Sequence, residues 1–350
     1  MPVKENQLID EISDLKKQIG SKLLLLGHYY QRKEIVDLAD FKGDSFALSK
    51  KAANLDEAEY IIFCGVHFMA ESAAILAKPN QIVQIPDQQA GCPMADMAKF
   101  ADVENAWTHL KTIIGNKKII PITYMNSTAE IKSFCGANDG TVCTSSNADK
   151  IFRWALEQGD KIFFMPDEHL GRNTANKLGI EKEKVVLWDP HYDDGNLSSA
   201  QIETAKVILW KGFCHIHTFF EPEHIDNIRN KFPDAVIIAH PECKEEVIDM
   251  VDFSGSTGFI DKYVANAKTG STIAIATEIN MIDRLSREYP DLRIIEVARS
   301  LCTNMFKIDL EKLKTTMLNL GKHNIVTVNY KIKYNADRAL RKMIQINDNY

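Results

Sequence analysis

The run Leu23-Leu24-Leu25-Leu26, followed by Gly27-His28-Tyr29-Tyr30, constrains this chain more than any other stretch. Four leucines without alternation make a strand only where both faces are buried, as in a parallel sheet covered by helices on either side. Gly27 ends the run, and three hydrogen-bonding side chains follow at the carboxyl end of the strand, where open α/β sheets bind their ligands. The pattern returns twice. Lys118 to Ile122 empties into Thr123-Tyr124-Met125-Asn126-Ser127, and Ala235 to Ala239 empties into His240-Pro241-Glu242-Cys243. Each polar exit is followed later by an isolated cysteine between helix-like segments: Cys92, Cys214 and Cys302 in turn. The chain therefore reads as a threefold repeat, in pattern rather than in identity, of an α/β unit that supplies one polar strand end and one thiol to a shared site.

With 350 residues the chain exceeds a single small core, so two or three domains are expected. A net charge of −6 argues against non-specific binding of nucleic acid, which needs a basic surface to displace counterions from phosphate. Leu8, Ile12, Leu15 and Ile19 form a helical stripe among charged residues, not the apolar core of a signal peptide, and no apolar stretch approaches the roughly 20 residues that span a bilayer. The reading is a cytoplasmic protein with neither a nucleic-acid nor a membrane partner. Seven cysteines are an odd number in a chain with an ordinary core, and disulfides do not persist in a reducing cytosol. No two of them are spaced Cys-x-x-Cys, so a thiolate site has to be assembled from distant segments.

Local patterns fill in the candidate site. Gly43-Asp44-Ser45 offers a turn with Ser45 as the cap of the next helix, a position that also suits an anion. Gly91-Cys92-Pro93 holds a thiol in a turn with exposed backbone amides, which stabilise a thiolate. Tyr124 and Asn126 bring a phenol and an amide to one strand end. Thr144-Ser145-Ser146 precedes a helix expected from Ala148 to Gln158, and Gly255-Ser256-Thr257-Gly258 is a tight hydroxyl-rich turn opening another. Strands at Lys161 to Met165 and Thr272 to Ala276 exit into Pro166-Asp167 and Thr277-Glu278. Asp193-Asp194-Gly195-Asn196 reads as a hairpin turn, with Lys206 to Trp210 as the returning strand. Cys135 and Cys143 read as incidental core cysteines in preference to a redox pair. The tail is expected to add a strand at Ile325 to Val328 and a helix from Asn335 that clasps the domains.

Three thiolates, one per unit, fall one short of those that saturate a cubane cluster. A 4Fe-4S cluster held by three leaves one iron open, a Lewis acid that takes hydroxyl or carboxylate oxygen and promotes loss of water. Around it, His28, Tyr30, Tyr124, Asn126, Ser145, His217, His240, Glu242 and Thr257 would orient an anionic, oxygen-rich substrate and move protons. The rival enzyme is a zinc-dependent aldolase or hydrolase built on Cys214, His215 and His217. A non-catalytic iron-sulfur sensor or small-molecule binding protein is the rival from another class, weakened by the lack of a basic recognition helix. A nicotinamide dehydrogenase is disfavoured because no Gly-x-Gly-x-x-Gly follows the first strand.

Taken in order, Gly27-His28-Tyr29-Tyr30, Gly43-Asp44-Ser45, Gly91-Cys92-Pro93, Tyr124-Met125-Asn126-Ser127, Thr144-Ser145-Ser146, Pro166-Asp167, Leu170-Gly171, Gly212 to His217, His240-Pro241-Glu242, Gly255-Ser256-Thr257 and Cys302-Thr303-Asn304-Met305 resemble the quinolinate synthase family over nearly the whole chain. The resemblance implies an α/β fold of three similar domains, each a short parallel sheet flanked by helices, in pseudo-threefold arrangement around a central 4Fe-4S cluster. It divides the chain at 1–110, 111–224 and 225–350. It implies condensation of iminoaspartate with dihydroxyacetone phosphate to quinolinate, with loss of phosphate and water, on the route to NAD. Functional coupling to an L-aspartate oxidase or an aspartate dehydrogenase would supply the imine. The implied cluster ligands are Cys92, Cys214 and Cys302. The implied substrate pocket contains His28, Tyr30, Ser45, Tyr124, Asn126, Ser145, His217, His240, Glu242 and Thr257. Within it, Glu242 and Tyr30 are expected to act as acid/base groups with His28, His217 and His240 as proton partners, while Ser45, Ser145 and Thr257 hold phosphate or carboxylate oxygens.

Overall fold

A computed structural model describes residues 2–54 and 57–349. The apolar runs form three parallel-stranded sheets. The first contains β1 (Leu23–His28), β2 (Phe41–Gly43), β3 (Tyr60–Cys64) and β4 (Ile82–Gln84) in the order β2-β1-β3-β4. The second contains β5 (Ile119–Tyr124), β6 (Thr141–Cys143), β7 (Lys161–Met165), β8 (Val185–Trp188) and β9 (Val207–Trp210) in the order β6-β5-β7-β9-β8. The third contains β10 (Val236–Ala239), β11 (Phe253–Ser254), β12 (Thr272–Ala276) and β13 (Arg293–Glu296) in the order β11-β10-β12-β13. All six residues of β1 and of β5 are buried, as strands covered on both faces require.

Each sheet repeats one plan. The first strand lies between the second and the third, and the strand beyond the third leads to a cysteine. Parallel pairing forces helical crossovers, so the strands of a sheet release their chain at the same edge. The chain is organised as two compact units: Met1–Cys92 with Glu223–Ile238 and Ser256–Val328, and Pro93–Pro222 with Ala239–Gly255 and Asn329–Tyr350. The first unit holds the first sheet together with β12 and β13, and the second unit holds the second sheet.

Three local expectations change. The segment after Trp188 is not a hairpin: β8 and β9 pair in parallel, with Val185 opposite Val207 and Trp188 opposite Trp210. Gly195 does make a tight left-handed turn, φ 66°, and Asp189 N–H donates to Gly195 O at 3.0 Å. The chain then enters a helix, Ser199–Thr204, opened by a Ser198/Gln201 capping box, and this crossover carries it back to the starting edge. The tail segment at Ile325 is an isolated antiparallel bridge to Gln84 instead of a strand, and the final helix starts earlier than expected, at Tyr330. The helix Ser45–Asn54 is capped by Asp44, whose Oδ1 accepts Ala47 N–H at 2.9 Å, so Ser45 is its first residue and its hydroxyl is not spent on the cap.

In the second unit the last helix, Tyr330–Asn349, buries Ala336, Ala339, Leu340, Met343 and Ile346, one stripe at helical spacing, and packs on the helix Ala129–Ala137. The approach is close because Gly136 has no side chain: a Cβ there would lie 1.9 Å from the carbonyl oxygen of Asn335. Backbone cannot yield as a flexible side chain can, so Gly136→Ala is expected to cost about 2–4 kcal/mol by forcing the helices apart. Its melting temperature should fall by several degrees, and an unchanged melting curve would show that the two helices can separate freely.

Candidate active site

In the second unit, residues from four strand ends meet. Tyr124 closes β5, Asp167 follows β7, Cys214 and His217 follow β9, and His240 and Glu242 follow β10. Their contacts form a chain. Tyr124 Oη donates to Glu242 Oε1 in a short hydrogen bond, His217 Nε2 lies 3.6 Å from Glu242 Oε2, and the Cys214 thiol also donates to the Glu242 carboxylate. The imidazoles of His217 and His240 stack with centroids 4.3 Å apart, and His240 Nε2 reaches Ser145 Oγ at 3.2 Å. Glu242 N–H donates to His240 Nδ1 at 3.4 Å, so a neutral His240 carries its proton on Nε2, facing Ser145.

Burial sets the charges. Glu242 is 2% exposed, and loss of hydration pushes its carboxyl up to about 7, against the stabilising bonds from Tyr124 and Cys214. Asp167 is wholly buried and is pushed well above the usual carboxylate range, first by burial and then by the nearby charge of Glu242. His217 is held well below its ordinary value by burial and by the two neighbouring imidazoles, so it is neutral. His217 N–H and Thr218 N–H both donate to Cys214 O, making a helical turn that folds His217 back beside Cys214. His215 stands exposed on that turn, outside the group. Asn126 lies two residues past the end of β5 and is half-buried.

In the first unit, His28 ends β1 and its Nδ1 accepts Tyr30 N–H at 3.2 Å, which leaves Nε2 to carry the proton of the neutral ring. Burial alone takes His28 down to about 3. Tyr30 packs edge-on against His28 and shares a 2.6 Å hydrogen bond with Thr277 Oγ1. Arg284, fully buried, pairs with Asp261 at 2.8 Å and Glu288 at 2.6 Å and lies 5.0 Å from the centre of the Tyr29 ring, fixing the residue between His28 and Tyr30. Thr257 begins the helix Thr257–Ala265, whose cap is Ser256, and the following Gly258 lies against the Asp44 carboxylate, bringing the helix starts at Ser45 and Thr257 together. The Cys92 loop is laced to the segment after Cys302, because Lys307 Nζ donates to Gln89 O at 2.7 Å and Lys312 pairs with Asp87 at 2.8 Å.

The cysteines divide cleanly. Cys64, Cys135, Cys143 and Cys243 are buried, with thiols driven upward by burial, whereas Cys92, Cys214 and Cys302 are the partly exposed ones. Burial raises Cys302 too, but backbone N–H groups of Met305 and Asn304 point at its sulfur and oppose the shift. Cys135 and Cys143 are therefore poor thiolates, as expected of core residues. Among the described residues one group brings three ligand atoms within 4.8 Å of one another: Cys214, His217 and Glu242.

Asp167, Thr277, Glu278 and Asn280 received no role from spacing. Glu278 is 0% exposed, accepts Asn280 N–H at 2.7 Å and Cys302 N–H at 3.2 Å, and is pushed up to about 8 by burial. Asn280 Nδ2 donates to Tyr30 O at 3.1 Å. The available signal was positional: Asp167 and Glu278 each stand two residues past the third strand of a sheet, beside the first strand that carries the conspicuous exit residues.

Buried carboxyls, neutral imidazoles and phenols at the ends of parallel strands, in a chain with partly exposed thiols, are the marks of an α/β enzyme. The particular family follows from the whole chain. Residues 10–345 match the family described as quinolinate synthetase A protein, and the chain belongs to that family. A quinolinate synthase of Geobacillus sp. (strain WCH70) is 46% identical over 337 residues, 95% of this chain and 91% of the relative. Those of Nocardioides sp. (strain ATCC BAA-499 / JS614) and Acidobacterium capsulatum are 45% and 44% identical, over 93% and 98% of this chain and 85% and 94% of their own lengths. Among the described residues no helix is long and apolar enough to cross a membrane.

A consequence of burying neutral His28 is a stability that depends on pH. The folded value lies near 3, below the ordinary 6.5, so below pH 6.5 the unfolded chain binds a proton that the native state refuses. The contribution is full above pH 6.5 and is lost as pH falls toward 3, by about 3 kcal/mol at pH 4. Denaturant unfolding of wild type and His28→Asn should therefore converge by about that amount between pH 7 and pH 4, and parallel stability curves would rule out a buried neutral imidazole.

Proposed function

We propose that this chain condenses iminoaspartate with dihydroxyacetone phosphate to quinolinate, releasing phosphate and water, as a step of NAD biosynthesis. Family membership over nearly the full length supports the reaction, and the observation that carries the site is the linked array Tyr124–Glu242–His217 with His240–Ser145. Three α/β units, 1–110, 111–224 and 225–350, each give one thiol to a 4Fe-4S cluster: Cys92, Cys214 and Cys302. The residues suit such a group, because these three thiols alone are partly exposed and Cys302 receives two backbone N–H groups at its sulfur. A cluster with three protein ligands supplies a Lewis-acidic iron that stabilises oxygen anions as water is lost.

The chain's own groups do the rest. Glu242, raised toward neutrality and hydrogen-bonded to the Tyr124 phenol, takes and returns protons during isomerisation, ring closure and dehydration. Tyr30 is the second acid/base group, its phenol oriented by Thr277. His28 and His240, each with Nδ1 occupied by a backbone N–H, donate from Nε2 to substrate oxygens, and His217 serves as the proton partner of Glu242. Ser45 and Thr257, at adjoining helix starts, and Ser145 receive phosphate or carboxylate oxygens, with Asn126 adding an amide. The enzyme works in the cytoplasm on an imine supplied by an L-aspartate oxidase or an aspartate dehydrogenase.

The sulfur, imidazole and carboxylate of Cys214, His217 and Glu242 favour one other reading, a zinc site in which Glu242 replaces the exposed His215. Anaerobic purification with iron, sulfide and zinc counted per chain, and an assay for quinolinate, separates the two. A brown protein that makes quinolinate, and that loses both colour and activity on replacing Cys92, Cys214 or Cys302 by Ser, supports the cluster. A colourless zinc protein overturns it. Glu242→Gln should keep iron and sulfide while lowering kcat at least roughly a hundredfold, and full turnover in that variant would remove Glu242 from the acid/base role.

A further inference from the structure

We infer that Glu278 and Asp167 are a matched pair of positioning residues, each holding the backbone of one cluster cysteine from the strand beside it. The inference rests on the cluster reading for its purpose and on geometry for its content. In the third sheet, β12 is hydrogen-bonded to β13, and Cys302 lies in the loop that β13 releases. In the second, β7 is hydrogen-bonded to β9, and Cys214 lies in the loop that β9 releases. Both β12 and β7 end two residues before an acid, Ala276 before Glu278 and Met165 before Asp167. Each acid is 0% exposed and caps the helix that follows, Glu278 through Asn280 N–H at 2.7 Å and Asp167 through Leu170 N–H at 2.6 Å.

The caps leave each carboxylate with an oxygen to spare, and each stands beside a cysteine. Glu278 Oε1 accepts Cys302 N–H at 3.2 Å. The N–H of Cys214 faces the Asp167 carboxylate, whose Oδ1 is taken by Leu170 and whose Oδ2 is buried with no hydrogen-bond partner, so the hold on Cys214 is looser than that of Glu278 on Cys302. An N–H beside a buried carboxylate oxygen is held in direction by it, firmly at Cys302 and more loosely at Cys214. The first sheet lacks the device: Val66 stands two residues past β3, and the loop before Cys92 is held by His67 N–H donating to Ala90 O at 2.7 Å. Two of the cysteines thus have a buried acid behind them, while the loop of the third is held by that backbone bond and by the lysines Lys307 and Lys312. The same turn serves the pocket, because Thr277 and Asn280, on either side of Glu278, hold the hydroxyl and the carbonyl of Tyr30.

The test uses the full-length protein stripped of metal, so that it does not depend on turnover. Alkylation of each cysteine by iodoacetamide is followed by mass spectrometry in wild type, Glu278→Ala, Glu278→Gln, Asp167→Ala and Asp167→Asn. Glu278→Ala should change the rate at Cys302 by roughly three- to tenfold, the factor that one hydrogen bond of ordinary net strength supports, with Cys214 unaffected. Asp167→Ala should change Cys214 in the same way, by less, with Cys302 unaffected. The amide variants keep an acceptor oxygen and should restore most of the wild-type rate. Cys64, Cys135, Cys143 and Cys243 are the internal control, since global unfolding would expose all four. Where Asp167→Ala unfolds, Asp167→Asn and the Glu278 pair still decide the matter. Unchanged rates at both cysteines in folded alanine variants, or equal changes at both from either variant, would overturn the inference.

Anaerobic reconstitution of the same proteins with iron and sulfide then connects position to purpose. Folded Glu278→Ala should hold less iron than Glu278→Gln and show an altered cluster EPR spectrum. A wild type that takes up no iron would refute the cluster reading, while the alkylation rates would still report on the positioning.

Discussion

Everything at the site depends on parallel strand pairing. A parallel pair cannot be closed by a turn, so each strand must be followed by a crossover that returns the chain to its starting edge. The strands of a sheet then release their next residues at one edge, and the plan with the first strand between the second and third sets two exits side by side. In the second sheet those exits carry Tyr124 and Asp167. Polar groups can collect there without disturbing the core, because the middles of the strands are apolar and buried.

That arrangement puts ionisable groups where water is scarce, and the consequences differ by chemistry. Burial disfavours a charged imidazole, so His28 and His217 both fall far below their ordinary range, and the imidazoles of His240 and His215 lower His217 further. A buried carboxyl rises, and its position depends on how many donors oppose the rise. Glu242 has the Tyr124 phenol and the Cys214 thiol, and settles near neutrality. Asp167 has the end of a helix, and the repulsion of Glu242 works with burial against it. Two acids in one unit are thereby both raised, each by a different set of neighbours.

The buried strands were legible in the sequence because a continuous apolar run bounded by glycine or polar residues has few other structures open to it. Lys161–Met165 and Thr272–Ala276 fall where the runs place them. Features that depend on partners were not legible. Asp193-Asp194-Gly195-Asn196 is a sound turn signal, but whether the next strand returns beside its neighbour or crosses over is decided by the Ser198/Gln201 capping box and the place left in the sheet. Asp44 and Ser45 are both good caps, and only the helix geometry shows that Asp44 takes the role. The conspicuous histidines and tyrosines at first-strand exits were found from sequence. Glu278 and Asp167 were not, since an acid before a helix is an ordinary cap until sheet order sets a cysteine loop beside it.

Sheet order also explains how one chain keeps seven thiols apart in reactivity. Cys64 and Cys143 lie inside strands, Cys135 on the buried face of a helix, and Cys243 in a turn whose carbonyl, with that of Pro241, accepts from Asn173 at 2.8 and 2.9 Å. Burial opposes the thiolate at each, and at Cys243 the carboxylates of Glu242 and Asp167 add to the opposition. The other three stand beyond the fourth strand in sheet order, past the packed layer, where backbone N–H groups are unpaired by the sheet and can turn toward sulfur. At Cys302 those donors come from Asn304 and Met305, while the cysteine's own N–H is taken by Glu278. The sulfur receives donors and the backbone behind it is fixed by an acceptor. The ligand role proposed for it would call on both: a charge that the surroundings tolerate and a direction that does not wander.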